Sequence, residues 1–187
     1  MKNFHLSVPS KPKFRLAVLL YLLVANCGIG QQPSPTPKEI KIQSIAFEPA
    51  TLPGSNRVWI KVVTNFQTLP RWADGIVFSY NVLIGVENQF RVLPGTVRYA
   101  NVKGGQNRAV MYISPNTVER FGAPVAAHVK AFYKDDLADE LQVKAANASS
   151  QNWETQFNKY PGLLLTVIHT PWVISDYSNS PDIFATQ

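Results

Sequence analysis

Apolar residues recur at every second position in several stretches of this chain, and a period of two belongs to half-buried β-strands. The clearest stretch is residues 76–86, where Ile76, Phe78, Tyr80, Val82, Ile84 and Val86 share one parity while Ser79, Asn81 and Gly85 take the other. A helix would spread these side chains around its circumference, whereas a strand places them on one face. Residues 57–66 alternate in the same way, with Val58, Ile60 and Val62 opposite Trp59, Lys61 and Val63, after a turn-forming LPGSN at 52–56. In residues 40–47 the apolar parity slips between Ile42 and Ile45, which predicts a β-bulge or a strand that changes sheet.

Further strands are expected over residues 90–102, broken at Pro94-Gly95, and over 108–114 after a hairpin-type turn at Gly104-Gly105. Residues 125–133 and 141–145 read as a pair joined by a loop at 134–140, and 163–170 as a last strand, apolar on both parities and therefore buried on both faces. Helical signals are short. Ser114 followed by Pro115 and, later, Gly122 predicts a capped turn of helix crossing from one sheet to the other. A second turn is expected near Trp153–Phe157 in the otherwise polar 147–158. Eight or nine short strands punctuated by Pro, Gly and Asn predict an all-β, immunoglobulin-like sandwich.

The N-terminus follows different rules. Lys2, Lys11, Lys13 and Arg15 precede an apolar run at 16–25 and then small residues, the order of a secretory signal occupying residues 1–30. The run is shorter than the roughly 20 apolar residues that span a bilayer. Cys27, the single cysteine, is the candidate lipidation site, and cleavage near Gly28 or Gly30 would instead discard it. Residues 31–38 (QQPSPTPK) form a Pro-rich spacer, leaving 39–187 as the sandwich with its C-terminal tail. With no cysteine pair, the core alone must stabilise that domain. An address in the periplasm, outer membrane or cell surface is expected.

Charge narrows the function classes. Four of the eighteen basic residues lie in the signal, and the remaining fourteen exceed the twelve acidic residues by only two, too few and too scattered to imply nucleic acid. His128 and His169 fall on separate expected strands with no ligand spacing around them, so each reads as a hydrogen-bonded surface histidine. No Gly-x-Ser-x-Gly elbow is present. Asp135, Asp136, Asp139 and Glu140 share the 134–140 loop and could offer oxygens to Ca²⁺, but they lack the order of a preorganised loop. No catalytic residue, metal ligand or cofactor is therefore assigned. Trp72, Trp153 and Trp172 are the candidate ligand or partner contacts, Trp72 being the best exposed, whereas Trp59 should pack on its sheet.

The signal with its spacer, the segment FGAPVAAHVKAFY at 121–133 and the ending LLLTVIHTPWVISDYSNSPDI at 163–183 together resemble small secreted immunoglobulin-like proteins of verrucomicrobial bacteria, of the kind encoded near type IV pilus-like assembly genes. The most specific part is Thr170-Pro171 with Asp176-Tyr177 and Ser180-Pro181 behind it; an aromatic follows Thr-Pro in such proteins, and here it is Trp172. The resemblance implies a noncatalytic role in an envelope or pilus-like assembly, with other envelope proteins or further copies of the chain as partners. The tail is expected to fold back on its own domain, exchange between copies being the other possibility. A glycan-binding module using exposed tryptophans is the alternative function, and it requires those rings to lie together and open to solvent.

Overall fold

The computed structural model describes residues 39–86, 89–144 and 152–173. The signal segment, Cys27, the Pro-rich spacer and residues 174–187 of the tail lie outside them. Eight strands are named among the described residues: β1 (Ile40–Thr51), β2 (Val58–Thr68), β3 (Ile76–Val86), β4 (Gln89–Tyr99), β5 (Gly105–Ile113), β6 (Ala123–Tyr133), β7 (Asp136–Lys144) and β8 (Leu164–Leu165). They form two antiparallel sheets, ordered β1-β2-β5-β8 and β4-β3-β6-β7. The fold is an immunoglobulin-like sandwich, as the alternation of residues predicts.

The inward parity of β3 supplies the centre of the core: Ile76, Phe78, Tyr80, Val82 and Ile84 are all buried, and Phe78 meets Phe66 of β2 across the sandwich at 4.8 Å between ring centroids. Val86, at the end of the same row, is exposed. The parity slip in β1 is a bulge, since its register against β2 shifts between Ile42 and Ser44. The amide of Ile42 donates to Asp139 Oδ2 of β7 at 2.8 Å. A carboxylate thus satisfies backbone polarity at the bulge, and an inward-pointing charge also discourages further strands from adding at that edge.

Several boundaries differ from expectation. Pro94-Gly95 does not interrupt β4, because β4 is an edge strand. Val92, on the same parity as Pro94, exchanges backbone bonds with Asn158 and Tyr160 on the side away from β3. The nitrogen of Pro94 therefore faces outward, where its missing N–H costs the ladder nothing. Gly104-Gly105 makes no hairpin, since β4 and β5 belong to different sheets and the glycines carry the chain between them. The loop expected at 134–140 shrinks to Lys134-Asp135, both at positive φ (53° and 67°), as a two-residue hairpin requires.

Helix α1 (Pro115–Phe121) is capped by Ser114, whose Oγ accepts from the Thr117 amide at 3.3 Å, and it ends at Gly122. It carries the chain from β5 in one sheet to β6 in the other. The last expected strand survives only as Leu164–Leu165, paired with Tyr112 and Ile113. Beyond it a 3₁₀ turn at Val167–His169 and another at Pro171–Val173 roll the chain over the sheet edge. Leu164 packs in the central core, whereas Val167 and Trp172 pack against Tyr112 on the outer face. Both parities are apolar because the segment serves two surfaces in succession. His169 accordingly lies in a turn, with Nδ1 3.1 Å from Thr166 Oγ1, and not on a strand.

Two buried phenols, Tyr80 and Tyr99, carry a measurable consequence. The Val110 amide donates to the buried hydroxyl of Tyr99 at 3.0 Å. Burial raises the Tyr99 phenol above its ordinary value of 10.0, and burial, then the neighbouring Tyr99, raises Tyr80 well above the same value. Folding holds both phenols neutral, while the unfolded chain loses these protons near pH 10. Their contribution is thus complete below pH 10 and declines as pH rises above it, by up to about 1.4 kcal/mol per pH unit for each phenol. Denaturant midpoints measured from pH 8 to 11 should fall above pH 10 together with the rise of tyrosinate absorbance. Ionisation of all tyrosines at the ordinary value in the folded chain would contradict this.

Candidate functional site

The sharpest surface feature is Trp72, 63% exposed in the connection from β2 to β3. Its neighbours hold it out. Ala73 exchanges both backbone hydrogen bonds with Val102, each at 2.9 Å, and Asp74 Oδ1 accepts from the Asn101 amide at 2.6 Å. On the other side the Leu69 amide donates to the Glu39 carbonyl at 3.2 Å, and Arg71 pairs with the Glu39 carboxylate. Gly104 lies so close beneath this loop that a Cβ there would sit 2.6 Å from the Arg71 nitrogen. A large apolar ring fixed in water by a well-anchored loop has the character of a contact residue, because it meets a partner with little ordering entropy left to lose. The same end of the sandwich carries Glu39, where the described chain begins.

Trp153 and Trp172 do not join it. Trp153 opens the short helix α2 (Trp153–Gln156), is 1% exposed, and packs on Leu83, Val92 and Ala126 against the outer face of the β4-β3-β6-β7 sheet. Trp172 is 8% exposed, stacked on Tyr112 at 5.6 Å and edge-on to Trp59 at 5.3 Å. Lys61 Nζ stands 5.4 Å from the Trp172 ring. The tail through Val173 therefore folds onto its own domain. Two of the three candidate tryptophans spend their area on packing, so no shared platform of open rings for a sugar forms.

A polar cleft that the sequence did not reveal lies on the outer side of β6 and β7. Its volume is about 440 Å³ and it is lined by His128, Gln142, Asn152, Glu154 and Thr155. His128 Nδ1 pairs with Glu154 of α2, and Nε2 lies 3.2 Å from Glu140 Oε2, which Lys130 Nζ approaches at 3.7 Å. These carboxylates are 26 and 12 residues from His128, so no short motif could have announced them. Only the pairing His128 to Gln142 and Lys130 to Glu140 across β6 and β7 points to the second. The expectation of a hydrogen-bonded histidine on a sheet surface holds for His128.

His128 and Thr155 of the cleft are both engaged in hydrogen bonds. The Thr155 hydroxyl donates to the Asn152 carbonyl at 3.0 Å, and both imidazole nitrogens face carboxylates. Of the acidic residues read as a Ca²⁺ loop, Asp135 sits in the turn and Asp136, Asp139 and Glu140 lie along β7, with Asp139 engaged by the Ile42 amide and Glu140 by His128 and Lys130. Successive strand side chains point to opposite faces, so they do not converge on one cation. Among the described residues no group of three or more His, Cys, Asp or Glu could hold a metal ion.

No curated protein matches the chain. A crystal structure from Akkermansia muciniphila is similar in fold, with a TM-score of 0.65 and 16% sequence identity, covering 80% of this chain and 94% of that one. That similarity extends over the sandwich and speaks to its architecture alone. A family model matches residues 31–179, well over half of the chain, and the protein therefore belongs to the family that this model defines.

Proposed function

We propose that this protein is a noncatalytic, exported component of an envelope or pilus-like assembly and that it makes its contacts through the Trp72 end of the sandwich. The observation that carries this reading is the exposed ring of Trp72 on a loop tied to Glu39, just before β1, and to the connection before β5. Membership of the family supports the noncatalytic side. The basic, apolar and small-residue order of residues 1–30 supports export. Envelope proteins, including further copies of the chain, are the partners this reading requires.

A photocrosslinking residue placed at position 72 of the full chain in the native bacterium tests the idea. Adducts with defined envelope proteins are expected from position 72 and not from position 137, where Leu137 is similarly exposed on β7. Trp72→Ala should leave unfolding stability within about 0.5 kcal/mol, as for an exposed side chain, while weakening partner binding by about 2 kcal/mol or more, as at an interfacial aromatic. Equal adducts from both positions would sink the reading. Adducts with polysaccharide alone would transfer Trp72 to the glycan-binding alternative.

A further inference from the structure

The opposite end of the sandwich carries two arginines with an arrangement of their own. Arg91 of β4 is half-buried, its guanidinium carbon 4.9 Å from the centroid of Phe121 and 5.7 Å from that of Tyr160. Arg120, at the end of α1, lies 4.8 Å from the same Phe121 ring. The two cations therefore stand within about 10 Å of each other around one buried ring. Arg57, Arg71 and Arg108 each meet a glutamate, but no described carboxylate comes within 4.0 Å of Arg91 or Arg120. Two neighbouring positive charges with no counter-charge among the described residues repel each other, and the aromatic rings beside them offset part of that repulsion.

Neither guanidinium has a hydrogen-bond acceptor among the described residues, so the fork of N–H donors on each remains available to one. The supports are rigid: Phe121 and Tyr160 pack together at 5.7 Å, and Tyr160 is held to β4 by its amide donating to the Val92 carbonyl at 2.8 Å. Gly122, just after α1, sits directly against the backbone of Gly85.

We infer that Arg91 and Arg120 form a binding site for a tetrahedral oxyanion, a phosphate or sulfate group, which accepts from both guanidinium forks. Two neighbouring cations whose donors have no acceptor among the described residues suit an acceptor that carries several oxygens, and bidentate pairing is the geometry arginine favours with such groups. The site is independent of the Trp72 reading and lies at the other end of the strands. The group can arrive as a free ion or as an ester on a sugar.

The full chain titrated calorimetrically at low ionic strength with inorganic phosphate, inorganic sulfate, glucose 6-phosphate and glucosamine 6-sulfate tests this, with sodium acetate as control. Saturable binding of the tetrahedral anions is expected, weakening as salt is raised. Arg120→Gln and Arg91→Gln should each reduce affinity about tenfold or more, the loss expected for a charge-assisted contact, while Arg98→Gln should not. Arg91→Lys keeps the charge and loses the fork, so it separates anion recognition from simple attraction even if Arg91→Gln folds poorly. Sugar esters binding at least tenfold more tightly than the inorganic ions would identify an ester as the source, and equal affinities would identify the free ion. Anion binding no stronger than acetate, or unchanged in Arg120→Gln and Arg91→Lys, overturns the site.

Discussion

Trp153→Ala should lower the free energy of unfolding by about 3–5 kcal/mol, the range for truncating a buried large aromatic. The indole is 1% exposed and closes a small cluster with Leu83, Val92 and Ala126 on the outer face of the β4-β3-β6-β7 sheet, with Phe90 and Phe157 packed around it. Helix α2 is only four residues long, far below the length at which a helix persists by itself, so this packing is what keeps it in place. Its loss would also withdraw Glu154 from His128. The indole Nε1 has no hydrogen-bond partner among the described residues, which means that truncation forfeits apolar area and sacrifices no polar contact. Trp153→Phe should therefore recover more than half of the loss. Urea unfolding of both variants measures the effect, and a shift below about 1 kcal/mol for Trp153→Ala would show that α2 is not an integral part of the cooperative unit.

Gly122→Ala should cost about 3 kcal/mol or more, and its origin can be separated into two parts. Gly122 adopts φ 92° and ψ −179°, a region essentially restricted to glycine, at a cost of about 1–3 kcal/mol for any other residue. A Cβ there would also lie 2.4 Å from the Gly85 carbonyl oxygen and 2.5 Å from its carbon, so the backbone of β3 would have to move. Gly105 provides the comparison, for it too has a positive φ (113°) but nothing lies within 4 Å of its added Cβ. Gly105→Ala should show the conformational cost alone. Equal losses in the two variants would indicate that the approach of Gly122 to Gly85 does not constrain the molecule.

The legibility of this chain follows the range of the interactions involved. Residues 76–86 were readable because one strand with one wet and one dry face writes its period into the sequence, and the bulge in β1 was readable because a register slip writes itself as a change of parity. Ser114, Pro115 and Gly122 marked α1 for a similarly local reason, since capping acts within a few residues. Pro94 misled, because a proline interrupts a strand only when its nitrogen faces a neighbour, and which side of β4 has a neighbour is settled by the sheet order. Residues 163–170 misled because apolar residues on both parities fit a strand buried on two faces as well as a segment that wraps an edge.

The site residues divide along the same line. Trp72 could be picked out as the exposed tryptophan from its loop context between Arg71 and Ala73, and it stands exposed. Trp153 and Trp172 could not be assigned, since each is buried by residues far away in sequence: Leu83 and Val92 in one case, Tyr112 and Trp59 in the other. The His128 cleft and the Arg91–Phe121–Arg120 cluster were invisible for that reason as well.

By itself the amino-acid order determined the period-two strands, the bulge, the capped crossover helix and the sandwich class, because these arise from side-chain alternation and from backbone preferences that act over a few residues. Only the tertiary structure decided which edges stay open, which tryptophans are covered and which charges meet. Those outcomes depend on strand order and register, which bring together residues tens of positions apart and leave no local trace in the chain.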